Sequence, residues 1–187
     1  MVNRAELTTI AQQHYQAGRL VEAEATYQQV LQQQPDRVEA LSWLALIADQ
    51  LGRLEDSATY YTRLLQLKPD AAETHSNLGA VLSRLGQMET AIAHHQQAVS
   101  LMPADADAHY NLAVTFYQNG QVEAAIHHYR QAIALNPNQT SAQANLALAL
   151  YAQGRLDEAI QHYRQALVLN PDHVNANNGL AVALYHQ

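Results

Sequence analysis

The sequence predicts an all-α solenoid of antiparallel helix pairs, five pairs followed by one extra helix. Three observations predict it. All five prolines stand 34 residues apart, at 35, 69, 103, 137 and 171. Five of the seven glycines, Gly18, Gly52, Gly86, Gly120 and Gly154, keep the same period. The stretch ADAHYNLAVTFYQNGQVEAAIHHYRQAIALNPNQ nearly overlays the next 34 residues, TSAQANLALALYAQGRLDEAIQHYRQALVLNPDH. A fixed period of this size marks a repeat array, in which each unit buries its apolar face against its neighbours.

Inside the unit, Leu112, Ala113, Phe116 and Tyr117 fall on one helical face. Gly120 supplies the positive φ that closes a helix C-terminus. Val122, Ala125, Ile126, Tyr129, Ala132 and Ile133 form a second helical stripe, which Pro137 ends because it has no amide hydrogen to continue the ladder. Counted back from each proline, the units run 4–37, 38–71, 72–105, 106–139 and 140–173, with a terminal helix at 174–187, and the whole of 1–187 reads as one domain. The first unit is the least regular, with Gln12, Gln13, His14 and Gln16 in its first helix, as suits a polar end cap. The second holds the single tryptophan, Trp43, and the third to fifth are the most alike. The terminal helix has Leu180, Ala181, Val182, Leu184 and Tyr185 on more than one side. Such a surface without a partner marks an interaction site. The expectation is self-association, a homo-oligomer formed through Leu180, Leu184 and Tyr185, or else a chain that continues into further repeats.

Composition narrows the function. The net charge is −7 and Lys68 is the only lysine, which argues against nucleic acid and against anionic membranes. No apolar window is long enough to span a bilayer. There is no cysteine, and the N-terminal MVNRAELTTIAQQHY lacks an apolar leader core, so a cytoplasmic protein is expected. Neither a glycine-rich phosphate loop nor metal-ligand spacing is present; no enzyme activity, cofactor or metal is expected. The acids at Glu55, Glu89, Glu123 and Asp157 open the second helices, where the helix dipole favours them. His94, His128 and His162 recur once per unit on the second helices, with His95 and His127 beside them. Units about 10 Å apart cannot bring such a column within the ~2.1 Å that a zinc ligand needs, so these read as surface or half-buried side chains.

The pattern resembles the tetratricopeptide repeat family. Its signature falls on His109, Leu112, Ala113, Phe116, Ala125, Tyr129 and Pro137, and again on Gln143, Leu146, Ala147, Leu150, Ala159, Tyr163 and Pro171. The chain departs from it at the fourth position of the unit, usually bulky and apolar, which reads Leu7 and Leu41 and then His75, His109, Gln143 and Asn177. The resemblance implies a right-handed superhelix whose first helices line a concave groove. It also implies that the sixth position of each unit, Thr9, Trp43, Asn77, Asn111, Asn145 and Gly179, points into that groove. Three asparagines one period apart can pair with a peptide's C=O and N–H together. The triplets Asn77-Leu78-Gly79, Asn111-Leu112-Ala113 and Asn145-Leu146-Ala147 are similar to the repeat region of O-linked N-acetylglucosamine transferases, where such asparagines hold the substrate polypeptide. Two readings stay open, a ligand-holding ladder or small polar residues on a solvated face.

A twelfth-position column, Tyr15, Tyr117, Tyr151 and Tyr185, flanks the asparagines either as a stacking surface or as packing between first helices. Tyr110 and Trp43 add aromatic area. The groove charges Glu39, Asp49, Glu73 and Asp107 stand against Arg84 and favour a neutral or basic ligand. Without groove lysines, a clamp for a C-terminal carboxylate is not expected. The sequence therefore predicts a scaffold that binds an extended peptide. The alternatives are a substrate-recruiting arm of a larger enzyme, such as a protein glycosyltransferase, and a self-association module.

Overall fold

The computed structural model describes residues 4–187; Met1 to Asn3, counted in the domain from sequence, lie outside the described residues. Among the described residues there are eleven α-helices and no strand. The first helices of the repeats are α1 (Arg4–Gln16), α3 (Val38–Gln50), α5 (Ala72–Arg84), α7 (Ala106–Gln118), α9 (Thr140–Ala152) and α11 (Val174–His186). The second helices are α2 (Leu20–Gln33), α4 (Leu54–Leu67), α6 (Met88–Leu101), α8 (Val122–Leu135) and α10 (Leu156–Leu169).

The glycine closing each first helix is required by backbone angle. Gly120 sits at φ 74°, and a Cβ there would meet nothing within 4 Å. Its amide donates to Tyr117 O at 3.0 Å and the Gln121 amide to Phe116 O at 2.8 Å, the paired bonds of a Schellman closure. The second helices end differently. Asn136, before Pro137, is extended at φ −136° and ψ 90°, the region forced on a residue that precedes proline.

The chain divides into two compact units, one up to His94 and one from His95. In the first, Leu7, Tyr27, Val30, Leu44 and Ile47 form one cluster, and Leu41, Tyr61, Leu64, Leu78 and Leu82 form a second. Small residues let helices approach: Ala23, Ala91, Ala125 and Ala159 are fully buried at the same repeat position. Ser57 takes that place in the second repeat and satisfies its hydroxyl on Ala45 O at 2.8 Å. In the second unit, Leu112, Phe116, Ile126, Tyr129, Leu146, Leu150, Ile160 and Tyr163 make the core. Among the described residues no helix is long and apolar enough to cross a membrane.

Candidate peptide-binding groove

In each unit the first helices share one face, floored by the buried tyrosines of the second helices. In the first unit an open pocket of about 270 Å³ lies between α3 and α5, with Trp43, Leu46, Tyr61, Glu73 and Asn77 among its lining. In the second unit a pocket of about 320 Å³ lies between α9 and α11, lined by Asn145, Leu148, Tyr151, Tyr163, Asn175 and Gly179 among others. The two are built from matching repeat positions: Trp43 with Asn145, Leu46 with Leu148, Tyr61 with Tyr163 and Asn77 with Gly179.

The asparagines do more than face solvent. Tyr61 hydrogen-bonds Asn77 of the next repeat, and Tyr129 does the same with Asn145. Asn145 Nδ2 also donates to the Tyr110 hydroxyl at 3.1 Å. Burial pushes the Tyr61 hydroxyl up to about 12, with Asp49 and Glu73 adding to the shift, and it raises Tyr129 and Tyr110 as well. These phenols therefore stay protonated, and each needs a partner inside the fold. Where the asparagine is replaced by Trp43, the Tyr27 hydroxyl is buried without a hydrogen-bond partner, and its ring stacks on the indole at 6.0 Å. At Asn77 and Asn145 the sixth-position amide thus meets a buried tyrosine of the preceding repeat, whereas the residue at the tyrosine position before Asn111 is His95. Asn111 is half-buried on α7 of the second unit.

In three repeats the twelfth-position side chain pairs with the thirteenth position of the next first helix. Gln50 donates to the Tyr15 hydroxyl at 2.7 Å, Arg84 pairs with Asp49, and the Tyr151 hydroxyl lies 2.6 Å from His186 Nδ1 with the rings stacked at 5.8 Å. Arg84 is thus committed to Asp49, which reduces its value as a free groove cation. Tyr117 faces the exception, because Ala152 holds the pairing position and offers no polar side-chain atom. At the terminal helix, Tyr185 is 87% exposed and Leu184 44%, while Leu180 is half-buried.

The histidine column and the odd fourth position are two ends of one contact. His75 and His94 lie Nδ1 to Nδ1 at 2.9 Å, His109 and His128 at 3.1 Å, and His162 Nδ1 meets Gln143 Oε1 at 2.8 Å. His75 Nε2 bonds Pro69 O at 2.9 Å and His109 Nε2 bonds Pro103 O at 3.1 Å. A carbonyl only accepts, so Nε2 of His75 and of His109 carries the hydrogen. In the neutral pair their Nδ1 then accepts, and His94 and His128 donate through Nδ1–H. His162 donates through the same atom, because Gln143 Oε1 can only accept. The departure from the apolar family pattern is therefore a polar clamp on the preceding loop. Read from sequence, these histidines were surface or half-buried side chains; the missed signal is that the two polar columns recur 19 residues apart. His109 is buried, and burial drives His128 down to about 4, helped by the nearby His127 and His109 charges. His94 and His162 are lowered by burial too. Among the described residues no cluster of three His, Cys, Asp or Glu is placed to hold a metal ion.

The tetratricopeptide repeat pattern matches residues 8–72, 112–173 and 144–187, and a second pattern of the same description matches 70–138. The chain belongs to the tetratricopeptide repeat family. No curated protein matches the chain by sequence. Several solved structures share the fold. YrrB, described as a TPR protein with an unusual peptide-binding site, superposes with a TM-score of 0.80 at 18% identity, covering 94% of this chain and 91% of its own. MamA from Desulfovibrio magneticus RS-1, from its residue 41 onward, gives 0.86 at 21%, covering 92% and 99%. A thermophilic TPR protein of Thermus thermophilus, TTC0263, gives 0.69 at 25%, covering 98% and 100%. This tetratricopeptide repeat chain is thus built throughout from the family's unit, and such membership supports a protein-interaction scaffold in general terms.

Proposed function

We propose that this chain binds an extended, neutral to basic polypeptide segment on the face of its first helices, without a reaction of its own. The observation that carries the reading is the pair of pockets at matching repeat positions, each combining an apolar floor with a sixth-position asparagine. Asn77, Asn111 and Asn145 supply backbone-directed hydrogen bonds, each worth roughly 0.5–1.5 kcal/mol net, so affinity accumulates over several contacts. Trp43, Tyr110, Tyr117 and Tyr151 supply aromatic area, and Arg84, paired with Asp49, stands on α5 with Asn77. Glu73 and Asp107 are exposed on the first helices and set the preference for positive charge.

The test uses peptides selected from a random library on the wild-type chain. Basic sequences should be enriched, and Glu73→Lys with Asp107→Lys should weaken them without loss of helicity. The triple variant Asn77→Ala, Asn111→Ala, Asn145→Ala, checked for matched helicity, should bind at least tenfold more weakly, ~1.4 kcal/mol. Enrichment of acidic peptides, or unchanged affinity in both variants, refutes the reading.

A second reading rests on the exposed Leu184 and Tyr185 of α11: the chain self-associates through that helix, with the half-buried Leu180 at the margin. A single monomeric species in sedimentation at high micromolar concentration would exclude it.

A further inference from the structure

One repeat shows what belongs in the pocket of the next. The fifth position of the unit reads Tyr110 in the fourth repeat and Ala144 in the fifth. The Tyr110 ring lies 6.0 Å from the Tyr129 ring, tilted by 54°, in the range where aromatic rings attract edge to face. Its hydroxyl hydrogen-bonds Ser141 and Asn145 of the following repeat. One period later the residues that would surround such a phenol are Tyr163, Asn175 and Gly179, and all three line the open pocket of about 320 Å³ together with Ala144. The space left by a tyrosine-to-alanine difference between repeats is thus open, and it lies at the small end of ligand pockets, about 300–1,000 Å³. Gly179 is fixed by this geometry, since a Cβ there would fall 2.3 Å from Tyr163 Cζ. The lining carries amides and phenols and no charged side chain. The pocket between α3 and α5 differs, because the indole of Trp43 takes its sixth position.

We infer that the pocket between α9 and α11 receives a tyrosine side chain of the bound polypeptide, packed beside Tyr163 in the space that the Tyr110 ring takes one repeat earlier. Asn175 and Asn178 offer amide partners to its hydroxyl, in place of the Ser141 hydroxyl and the Asn145 amide that meet Tyr110. The inference rests on the peptide-binding reading and adds to it the side-chain class that one subsite selects.

The experiment titrates N-acetyl-tyrosinamide and N-acetyl-leucinamide into the full chain. It follows the backbone amide of Gly179 and the side-chain amides of Asn175 and Asn178 by NMR. The tyrosine compound should give saturable shifts at these three residues and bind about 2- to 10-fold more tightly than the leucine compound. The variant Ala144→Tyr should fill the slot from within, abolish those shifts and raise Tm. No saturable shift, equal binding of both compounds, or an Ala144→Tyr chain that melts lower or fails to fold overturns the inference. Library peptides that bind the wild type and Ala144→Tyr equally well overturn it while leaving the groove reading intact. Tyrosinamide binding alongside library peptides indifferent to the groove variants does the reverse.

Discussion

Acid should loosen the fourth repeat through His128, and the size of the effect can be worked from its surroundings. His128 stacks on Phe116 at 5.6 Å, donates to His109, and has His127 beside it. Burial and these two histidines hold it at about 4, against 6.5 for a free ring. The unfolded chain therefore binds a proton at this site more readily than the folded one. Stability is complete above pH 6.5 and falls as pH drops from there to about 4. At about 1.4 kcal/mol per unit the full shift corresponds to roughly 3 kcal/mol, and the ring's partial exposure reduces the expected loss to about 2 kcal/mol. His128→Gln keeps a donor toward His109 Nδ1 and removes the titration. Urea unfolding of both proteins at several pH values between about 4 and 7 should show the stability difference shrinking by about 2 kcal/mol in the variant's favour as pH falls. Parallel pH profiles would refute the buried neutral pair.

Three further outcomes follow from named contacts. Gly120→Ala forces a side chain into positive φ with no steric neighbour to blame, so urea unfolding should show a loss of about 1–2 kcal/mol from backbone strain alone. Gly179→Ala collides with the buried Tyr163 ring; unfolding should show a net loss of about 1–2 kcal/mol despite alanine's better helix propensity. If α11 mediates self-association, sedimentation of Leu184→Asp, Tyr185→Asp should show a smaller species than the wild type, with unchanged helicity.

The helix boundaries were legible because proline and glycine act locally. A missing amide hydrogen and a required positive φ need no tertiary context, and α3, α5, α7 and α9 begin at Val38, Ala72, Ala106 and Thr140, where counting back from the prolines places them. The contact of Asn77 and of Asn145 with a buried tyrosine was not legible. It depends on which second-helix side chain reaches the next repeat, and only packing brings Tyr61 to Asn77 and Tyr129 to Asn145. The His75–His94 and His109–His128 pairs were hidden for a related reason. From sequence the fourth position is a departure from an apolar pattern, and the histidines are separate surface or half-buried side chains. A search for polar pairs recurring 19 residues apart would have joined them. Gly179 looked like one more member of a polar column, whereas its need for glycine comes from a ring that only the folded chain brings against it.

The most direct test of peptide binding uses the chain's only tryptophan, Trp43, which lines the first unit's pocket beside Asn77. Its emission would be followed while a library-selected basic peptide, and an acidic peptide of equal length, are titrated into the wild-type chain and into Asn77→Ala. Peptide binding on this face predicts a saturable change with the basic peptide, weakened in the variant and absent with the acidic one. An emission that stays constant while the peptide binds by calorimetry, or that responds identically in Asn77→Ala, would contradict it.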